Sequence, residues 1–305
     1  DIDEVRRCGD PRDPFALHKA CVAASFLLDG FDSVKDFSST MGGGLRLSTS
    51  VEVPKGSGLG TSSILAAGCM KALGELCGLP FDEDLIYEQV FAVEQLMGTG
   101  GGWQDQVGGL TPGLKFFTSK SGMRQKIDVE RLFLDEGTAR ELDDRFTLIF
   151  SGQRRLARNV LRSETSRLIR NDRGALAAMA RIRELAALMR YHLLSGDVTA
   201  FAHCMTEQLS LVKVLDAGAT NTCIDYIFEV CEDLVDGKSV CGAGGGGFLQ
   251  VVLKEGVSRS ELVRRLDEEF KGCGVKVWDA RIYWREESET GGFPDERGGR
   301  ANGRA

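Results

Sequence analysis

The spacing of hydrophobic and polar residues predicts a chain of mixed helices and strands. Apolar residues recur every three to four positions in the segments predicted as helices, which are 13–28, 64–76, 84–97, 155–170, 173–194, 197–214, 221–235 and 259–270. Short β-branched and aromatic runs predict strands at 45–53, 114–117, 125–129, 146–150, 239–241, 248–253 and 275–283. At the start of the first helix, Asp13 suits the N-cap position and Pro14 suits the first helical position.

The pattern changes after Ser151, where long helical runs replace the strand signals. Strand signals return near residue 239, after four predicted helices. We therefore predict an α+β protein with two domains, at 1–150 and 151–285, and a ligand cleft between them. Residues 286–305 are rich in Gly, Arg, Glu and Asp and are predicted to form a disordered tail.

A glycine-rich turn, PKGSGLGTSS at 54–63, joins the strand predicted to end at Val53 to the next helix. Glycine tolerates positive φ and lets the backbone approach an anion closely. Thr61, Ser62 and Ser63 follow at the predicted helix N-terminus, where free N–H groups and the helix dipole attract phosphate. The turn has neither the lysine of a Walker A loop nor the GxGxxG spacing of dinucleotide-binding folds. The pattern predicts a phosphate cradle of another kind and disfavours a dinucleotide oxidoreductase.

Composition narrows the class of protein. The 305 residues carry a formal net charge of −7, which argues against nucleic acid or an anionic membrane as the main partner. No apolar run reaches the roughly 18 to 20 residues that a membrane helix needs. The nine cysteines are odd in number and form no CxxC pair, so we expect free thiols in a reducing, cytoplasmic compartment.

Two further glycine-rich stretches follow, EQLMGTGGGWQDQVGG at 94–109 and CGAGGGGF at 241–248. Together with PKGSGLGTSS they resemble the GHMP kinases, small-molecule kinases that include galactokinases and mevalonate kinases. The motif GGGWQDQVGG is similar to the corresponding motif of the L-fucose kinases, including the kinase module of bifunctional fucokinase/GDP-fucose pyrophosphorylases. DPFALHKA at 13–20 and GQRRLARN at 152–159 also resemble that family. Five matches in the family's order make the resemblance specific.

The resemblance implies a two-domain fold with a ribosomal protein S5 domain 2-like N-terminal part, which binds ATP, and a ferredoxin-like, helix-rich C-terminal part. It implies ATP-dependent phosphorylation of the anomeric hydroxyl of L-fucose, giving L-fucose 1-phosphate for GDP-fucose salvage, with Mg²⁺ as the metal. The implied partners are ATP and a small sugar, with no nucleic acid and no membrane. The implied location is cytoplasmic.

The resemblance assigns residue roles. ATP is assigned to the glycine-rich turn, at Gly56, Ser57, Gly58, Leu59, Gly60, Thr61, Ser62 and Ser63. Mg²⁺ is assigned to Ser62 and Glu94, whose oxygen atoms suit this hard cation. Asp105 is assigned as the general base, which would remove the proton of the sugar hydroxyl or only orient that hydroxyl. From the residues alone, Glu94 could instead be a solvated helix charge and Asp105 the cap of a turn.

Four residues are candidates for binding the sugar. Trp103 and Gln104 flank the predicted base, and an aromatic face suits the C–H groups of a sugar while an amide suits its hydroxyls. Packing of Trp103 in the core is the alternative. Gly244 and Gly245 belong to a tight loop that we expect to approach the phosphates or the substrate, with an ordinary β-turn as the alternative.

The sequence also departs from the family pattern. The family motif of the form GRxDLxGGWSDxPP does not occur in it. We expect this departure to reflect N-terminal truncation rather than an inactive protein, because Glu94 and Asp105 are both retained. A heptose-phosphate kinase, which shares a QDQ motif, is the first alternative. A non-catalytic sensor of sugar and nucleotide is the second, and the missing motif favours it.

Overall fold

The computed structural model describes residues 1–10, 12–79, 82–98, 102–111, 113–120, 122, 126–154, 166–282 and 284. Its helices are α1 (Ile2–Arg6), α2 (Ala16–Ala24), α3 (Val34–Met41), α4 (Thr61–Leu76), α5 (Glu83–Leu96), α6 (Gln104–Leu110), α7 (Glu136–Arg145), α8 (Arg173–Leu194), α9 (Val198–Leu215), α10 (Thr222–Val230) and α11 (Arg259–Glu269). Its strands are β1 (Lys115–Ser119), β2 (Ile127–Arg131), β3 (Phe146–Ser151), β4 (Val235–Val240), β5 (Phe248–Leu253) and β6 (Val275–Trp278).

Helices α2, α4, α5 and α6 pack into one hydrophobic cluster in the first half of the chain. Apolar positions in α4 recur with helical spacing, so Ala66, Met70 and Leu73 form one buried face. The neighbouring helix α5 contributes Val90 and Val93, which are fully buried. The start of α4 meets the end of α5, so the two helices run antiparallel.

Four antiparallel strands form a sheet in the order β4-β5-β3-β6. Ile149, Leu249 and Val251 contribute to a core that α10 and α11 cover. Val252 lies on the opposite face, where α7 and α9 pack. Because β5 is covered on both faces, its sequence is an apolar run, interrupted only by the half-buried Gln250.

The predicted α+β class is confirmed. The helix 173–194 and the strand 248–253 have the predicted bounds. Most of the helix predicted at 155–170, and the tail predicted at 286–305, lie outside the described residues. The division into two domains near residue 151 stays a prediction.

The strand predicted at 45–53 is wrong. This segment is irregular, and no strand in the described part of the chain pairs with it. Leu45 and Val51 are exposed. A β-branched run becomes a strand only where a partner backbone satisfies its N–H and C=O groups. The β propensity of this run is therefore not sufficient by itself.

Several predicted element ends also differ from the structure. Helix α2 begins at Ala16 rather than at residue 13, because the Asp13 carboxylate accepts a hydrogen bond from Phe15 N at 2.8 Å and closes a turn before the helix. The helix predicted to 235 ends at Val230, where the chain turns into β4. The last strand ends at Trp278 rather than at residue 283. Polar α7 was not predicted, because only Ala139 and Leu142 in it are apolar and a local cap is its main signal.

All nine cysteines are free, as predicted. Cys21, Cys69 and Cys231 are buried, whereas Cys77, at the end of α4, is exposed. Among the described residues, no helix is both long enough and apolar enough to cross a membrane.

Candidate active site

The phosphate loop, which we define as residues 54–60, leads directly into α4. Gly56, Gly58 and Gly60 have φ values of 75°, 77° and 64°, so each occupies the left-handed region that favours glycine. Helix α4 begins at Thr61, three residues earlier than predicted, which places Thr61 to Ser63 in its first turn. Its N-cap residue Gly60 has no side chain to bond the first N–H groups. This is the arrangement that binds phosphate at helix N-termini.

The glycine-rich loop at 241–247 packs directly against the phosphate loop. Phe248 N donates a hydrogen bond of 2.8 Å to Ser57 O. A Cβ atom on Gly58 would overlap the Cys241 carbonyl group, whose carbon would lie 3.0 Å away. A Cβ atom on Gly247 would lie 2.7 Å from the carbonyl carbon of Ser57. Both loops therefore need glycine, because their backbones touch.

Gly244 and Gly245, which were predicted to bind substrate, contact the short turn before α10. Gly245 N donates to Ala219 O at 2.6 Å, and a Cβ atom on Gly244 would lie 3.0 Å from the Ala219 carbonyl carbon. The Asn221 amide donates to Gln153 Oε1 at 2.9 Å and to Gly245 O at 3.3 Å. These contacts give the two glycines a structural role, and their contact with substrate stays a prediction.

Glu94 is buried at the end of α5, with 5% of its surface exposed, so it is not a solvated helix charge. Ser63 Oγ donates a hydrogen bond to its Oε1 atom, and Gln106 Nε2 donates to its Oε2 atom at 3.1 Å. Ser62, the predicted Mg²⁺ ligand, is exposed on the same helical turn. Sequence reasoning missed the roles of Ser63 and Gln106, although Gln106 is the last residue of the QDQ motif.

Asp105 lies in the first turn of α6, against the phosphate loop. A Cβ atom on Gly60 would lie 3.4 Å from both Cβ and Cγ of Asp105. Helix α6 can approach α4 this closely because Gly109 faces the Ile64 side chain, whose Cγ1 would lie 2.7 Å from an added Cβ. The structure therefore places the predicted base beside the turn that is predicted to hold ATP.

The two carboxyl groups share an electrostatic environment. Burial raises the pKa of Glu94, and the Asp105 charge raises it further, while the hydrogen bonds from Ser63 and Gln106 act in the opposite direction. Partial desolvation also raises the pKa of Asp105, although this residue is exposed to solvent. Carboxylates with raised pKa values are suited to accepting a proton or to binding a cation that compensates their charge.

The residues present fit Mg²⁺. In the described part of the chain, His, Cys, Asp and Glu side chains form no group of three or more that could hold a metal ion alone. A Mg²⁺ ion that arrives with nucleotide phosphates needs only one or two protein oxygens. Glu94 and a hydroxyl of the first turn of α4 are oxygen donors of this kind.

Trp103 and Gln104 immediately precede Asp105, and the surroundings of the two side chains differ from each other. The Trp103 ring packs edge-on against Phe117, with ring centroids 5.4 Å apart, and borders the hydrophobic cluster of the first half of the chain. This contact agrees with the packing alternative for Trp103. Gln104 is exposed at the start of α6. Contact of either residue with a sugar stays a prediction.

Comparison with known proteins gives three named relatives. A bifunctional fucokinase/GDP-fucose pyrophosphorylase from Arabidopsis thaliana is 37% identical over 270 residues, which cover 88% of this chain and 25% of that protein. An L-fucokinase/L-fucose-1-P guanylyltransferase from Bacteroides fragilis is 31% identical, with coverage of 83% and 27%. A D-glycero-alpha-D-manno-heptose 7-phosphate kinase from Campylobacter jejuni is 29% identical, with coverage of 80% and 74%. The chain thus spans about a quarter of the length of the first two relatives.

Solved structures share the fold. Galactokinase from Lactococcus lactis, complexed with galactose, has a TM-score of 0.63 at 15% identity. The match covers 93% of this chain and 78% of the galactokinase chain. Phosphomevalonate kinase from Streptococcus pneumoniae, in complex with phosphomevalonate and AMPPNP, has a TM-score of 0.65 at 16% identity, with coverage of 90% and 83%. The family described as GHMP kinases N terminal domain matches residues 23–112, which contain the phosphate loop, Glu94 and Asp105. In sequence and in fold, the chain is therefore similar to the GHMP kinases.

Proposed function

We propose that this chain carries the catalytic site of an ATP-dependent sugar kinase that converts L-fucose to L-fucose 1-phosphate. The observation that carries the proposal is the packing of Asp105 on Gly60, which puts a carboxylate beside the first turn of α4. Buried Glu94 contacts the same turn through Ser63. The fucokinase names of the relatives from A. thaliana and B. fragilis support L-fucose as the acceptor.

The chemistry follows from these positions. Phosphoryl transfer depends on alignment of the acceptor oxygen with the γ-phosphorus and on neutralisation of phosphate charge. N–H groups of the phosphate loop and of the first turn of α4 bind the phosphates. Asp105 accepts the proton of the anomeric hydroxyl or orients that hydroxyl, whose oxygen forms the new P–O bond while ADP departs. Mg²⁺, held by Glu94 and Ser62, would neutralise charge on the nucleotide phosphates.

A second candidate is phosphorylation of a sugar phosphate. The heptose 7-phosphate kinase from C. jejuni supports this candidate, because it matches 80% of the chain. The roles of Asp105 and Glu94 are the same for either acceptor, since both residues act at the transferred phosphoryl group and the attacking hydroxyl. Only measured turnover with each acceptor distinguishes L-fucose from a sugar phosphate.

The first experiment measures turnover of ATP with Mg²⁺ and L-fucose, and reads both ADP and the sugar 1-phosphate. Heptose 7-phosphate and galactose serve as competing acceptors. Asp105→Asn is expected to lower kcat by about 100-fold or more, because a general base contributes roughly that factor. Asp128→Asn, an exposed carboxylate in β2, is the matched control and should leave kcat unchanged.

Each outcome has a distinct meaning. Full turnover by Asp105→Asn would disprove its role at the reacting hydroxyl. Preferred phosphorylation of heptose 7-phosphate would replace the acceptor and keep the reaction class. Binding of ATP and sugar with no transfer would support a sensor instead of an enzyme.

A further inference from the structure

A cavity of 560 Å³ lies between the phosphate loop, α6, α9 and the β4–β5 strand pair. Gly58 and Leu59 form the side that belongs to the phosphate loop, and Gly108 forms the side that belongs to α6. Gly108 follows Asp105 by three positions, so both residues lie on one face of this helix. The cavity therefore borders the phosphate-binding turn and the helix face that carries the proposed base. Its volume is in the range of small-molecule sites, about 300 to 1,000 Å³.

The described residues that line this cavity are uncharged, and three of them have polar side chains. Among the described residues that form it, the longer polar side chains are Gln208 and Gln250, and Ser239 adds a hydroxyl. The remaining lining residues are glycine or apolar. A sugar phosphate brings a second charged phosphate, which proteins normally pair with Arg or Lys. Amide and hydroxyl groups instead match the hydroxyls of a neutral sugar.

The strand register explains why these polar groups meet. Ser239 and Gln250 are directly opposite each other in the antiparallel β4–β5 pair, so their side chains lie on the same face of the sheet. Helix α9 packs along β4 and presents Gln208 and Val212, which are one turn apart, to the same cavity. These residues come from separate parts of the sequence and form one continuous wall.

The two amides have hydrogen-bonding capacity that the protein does not use. Gln208 and Gln250 are both half-buried. Within the described part of the chain, neither side chain has a hydrogen-bond partner. Each amide offers two donor hydrogens and an acceptor oxygen, so together they could bind several hydroxyls of one ring.

We propose that this cavity binds the acceptor of the kinase and that the acceptor is an uncharged polyhydroxyl sugar, held by Gln208 and Gln250. The inference rests on the proposed function and narrows it, because the described residues that line the cavity include no cationic side chain, which favours a neutral sugar over a phosphorylated one. It also assigns sugar recognition to α9 and the β4–β5 pair.

The test compares Gln208→Leu and Gln250→Leu with the control Gln89→Leu, which makes the same change at a half-buried position in α5. For each protein, the KM for L-fucose, the KM for ATP and the melting temperature are measured. Loss of one hydrogen bond to a hydroxyl is expected to raise the KM for L-fucose about tenfold in each cavity variant. The KM for ATP should stay unchanged, and the control should match the unsubstituted protein.

Calorimetry on the unsubstituted protein provides a measurement that does not depend on the variants folding. L-fucose is expected to bind in the presence of a non-hydrolysable ATP analogue, and heptose 7-phosphate is not. Tighter binding of the sugar phosphate would overturn the inference. An unchanged KM for L-fucose in both cavity variants would do the same, as would a loss of ATP affinity in place of sugar affinity.

The same measurements separate failure of this inference from failure of the proposed function. If no sugar is phosphorylated, the proposed kinase activity fails, yet calorimetry with L-fucose still tests the cavity. If L-fucose is phosphorylated normally by both Gln208→Leu and Gln250→Leu, the activity stands and this assignment of the acceptor site fails.

Discussion

Replacing Gly58 with alanine is expected to destabilise the protein and to weaken ATP binding. Its φ of 77° would cost a residue with a side chain about 1–2 kcal/mol. The new Cβ atom would also overlap the Cys241 carbonyl group, with the carbonyl carbon at 3.0 Å. Carbon atoms normally approach to about 3.5–4.0 Å, so the two loops would have to separate by roughly half an ångström. Such overpacking adds about 1–3 kcal/mol, for a total loss of about 2–5 kcal/mol.

Gly42→Ala is the matched control for this prediction. Gly42 has a similar φ of 73° at the end of α3, but an added Cβ atom there would meet nothing within 4 Å. It should therefore lose only the backbone contribution, about 1–2 kcal/mol. The difference between the two variants isolates the contact between the phosphate loop and the 241–247 loop.

Urea unfolding of both variants gives the free energy of unfolding by linear extrapolation. Initial rates at varied ATP give the KM for the nucleotide. We expect Gly58→Ala to be the less stable variant by about 1–3 kcal/mol and to have the higher KM for ATP. Equal stability and an equal KM in the two variants would refute the argument that the loops are in backbone contact.

Three further predictions concern other parts of the structure. Arg145→Leu should lower the free energy of unfolding by about 3 kcal/mol or more, because it leaves the partly buried Asp236 without its ion pair. Ser63→Ala should cost about 1–3 kcal/mol, since it removes a donor to a buried carboxylate, whereas Ser62→Ala should mainly raise the Mg²⁺ concentration needed for half-maximal turnover. The acidic limb of kcat/KM should lie above the ordinary Asp value of 3.8, because burial raises the pKa of Asp105 and the base is lost as pH falls through that raised value.

Controls make these predictions specific. Arg140→Leu removes an exposed ion pair from the same helix as Arg145 and should leave stability within error. An equal Mg²⁺ requirement in Ser62→Ala and in the unsubstituted protein would contradict the assignment of Ser62 to the metal. For the pH profile, the residual activity of Asp105→Asn should lose the limb that Asp105 causes and keep only a limb from protonation of the metal ligand Glu94. Activity and stability should respond to pH in opposite directions. Because the carboxyl pKa of Asp105 is raised in the folded state, the free energy of unfolding increases as pH falls from that raised value to 3.8, whereas activity falls.

Much of the local structure could be predicted from the sequence. The glycines at 56, 58 and 60 were expected to have positive φ, and they do. Helix 173–194 and strand 248–253 have the predicted bounds. These features depend on backbone sterics and on apolar periodicity, which neighbouring residues determine.

Contacts within the site were harder to predict. The sequence motifs indicated that Glu94 and Asp105 belong to one site, but they did not reveal that Ser63 and Gln106 hold the Glu94 carboxylate. Ser62 and Ser63 are adjacent in sequence, but helical geometry places Ser62 on the exposed side of α4 and Ser63 on its buried side. That distinction depends on which face of α4 packs against α5.

The sequence by itself indicated the resemblance to the GHMP kinases, the chemical types at the site and the positions of several local elements, such as helix 173–194. Only the tertiary structure decided that the β-branched run at 45–53 is irregular, because a strand requires a partner backbone. It also decided that Asp105 packs on Gly60 and that Gln208 and Gln250 share a cavity. Such contacts join residues far apart in the chain, so they depend on helix packing and strand register, which no local pattern specifies.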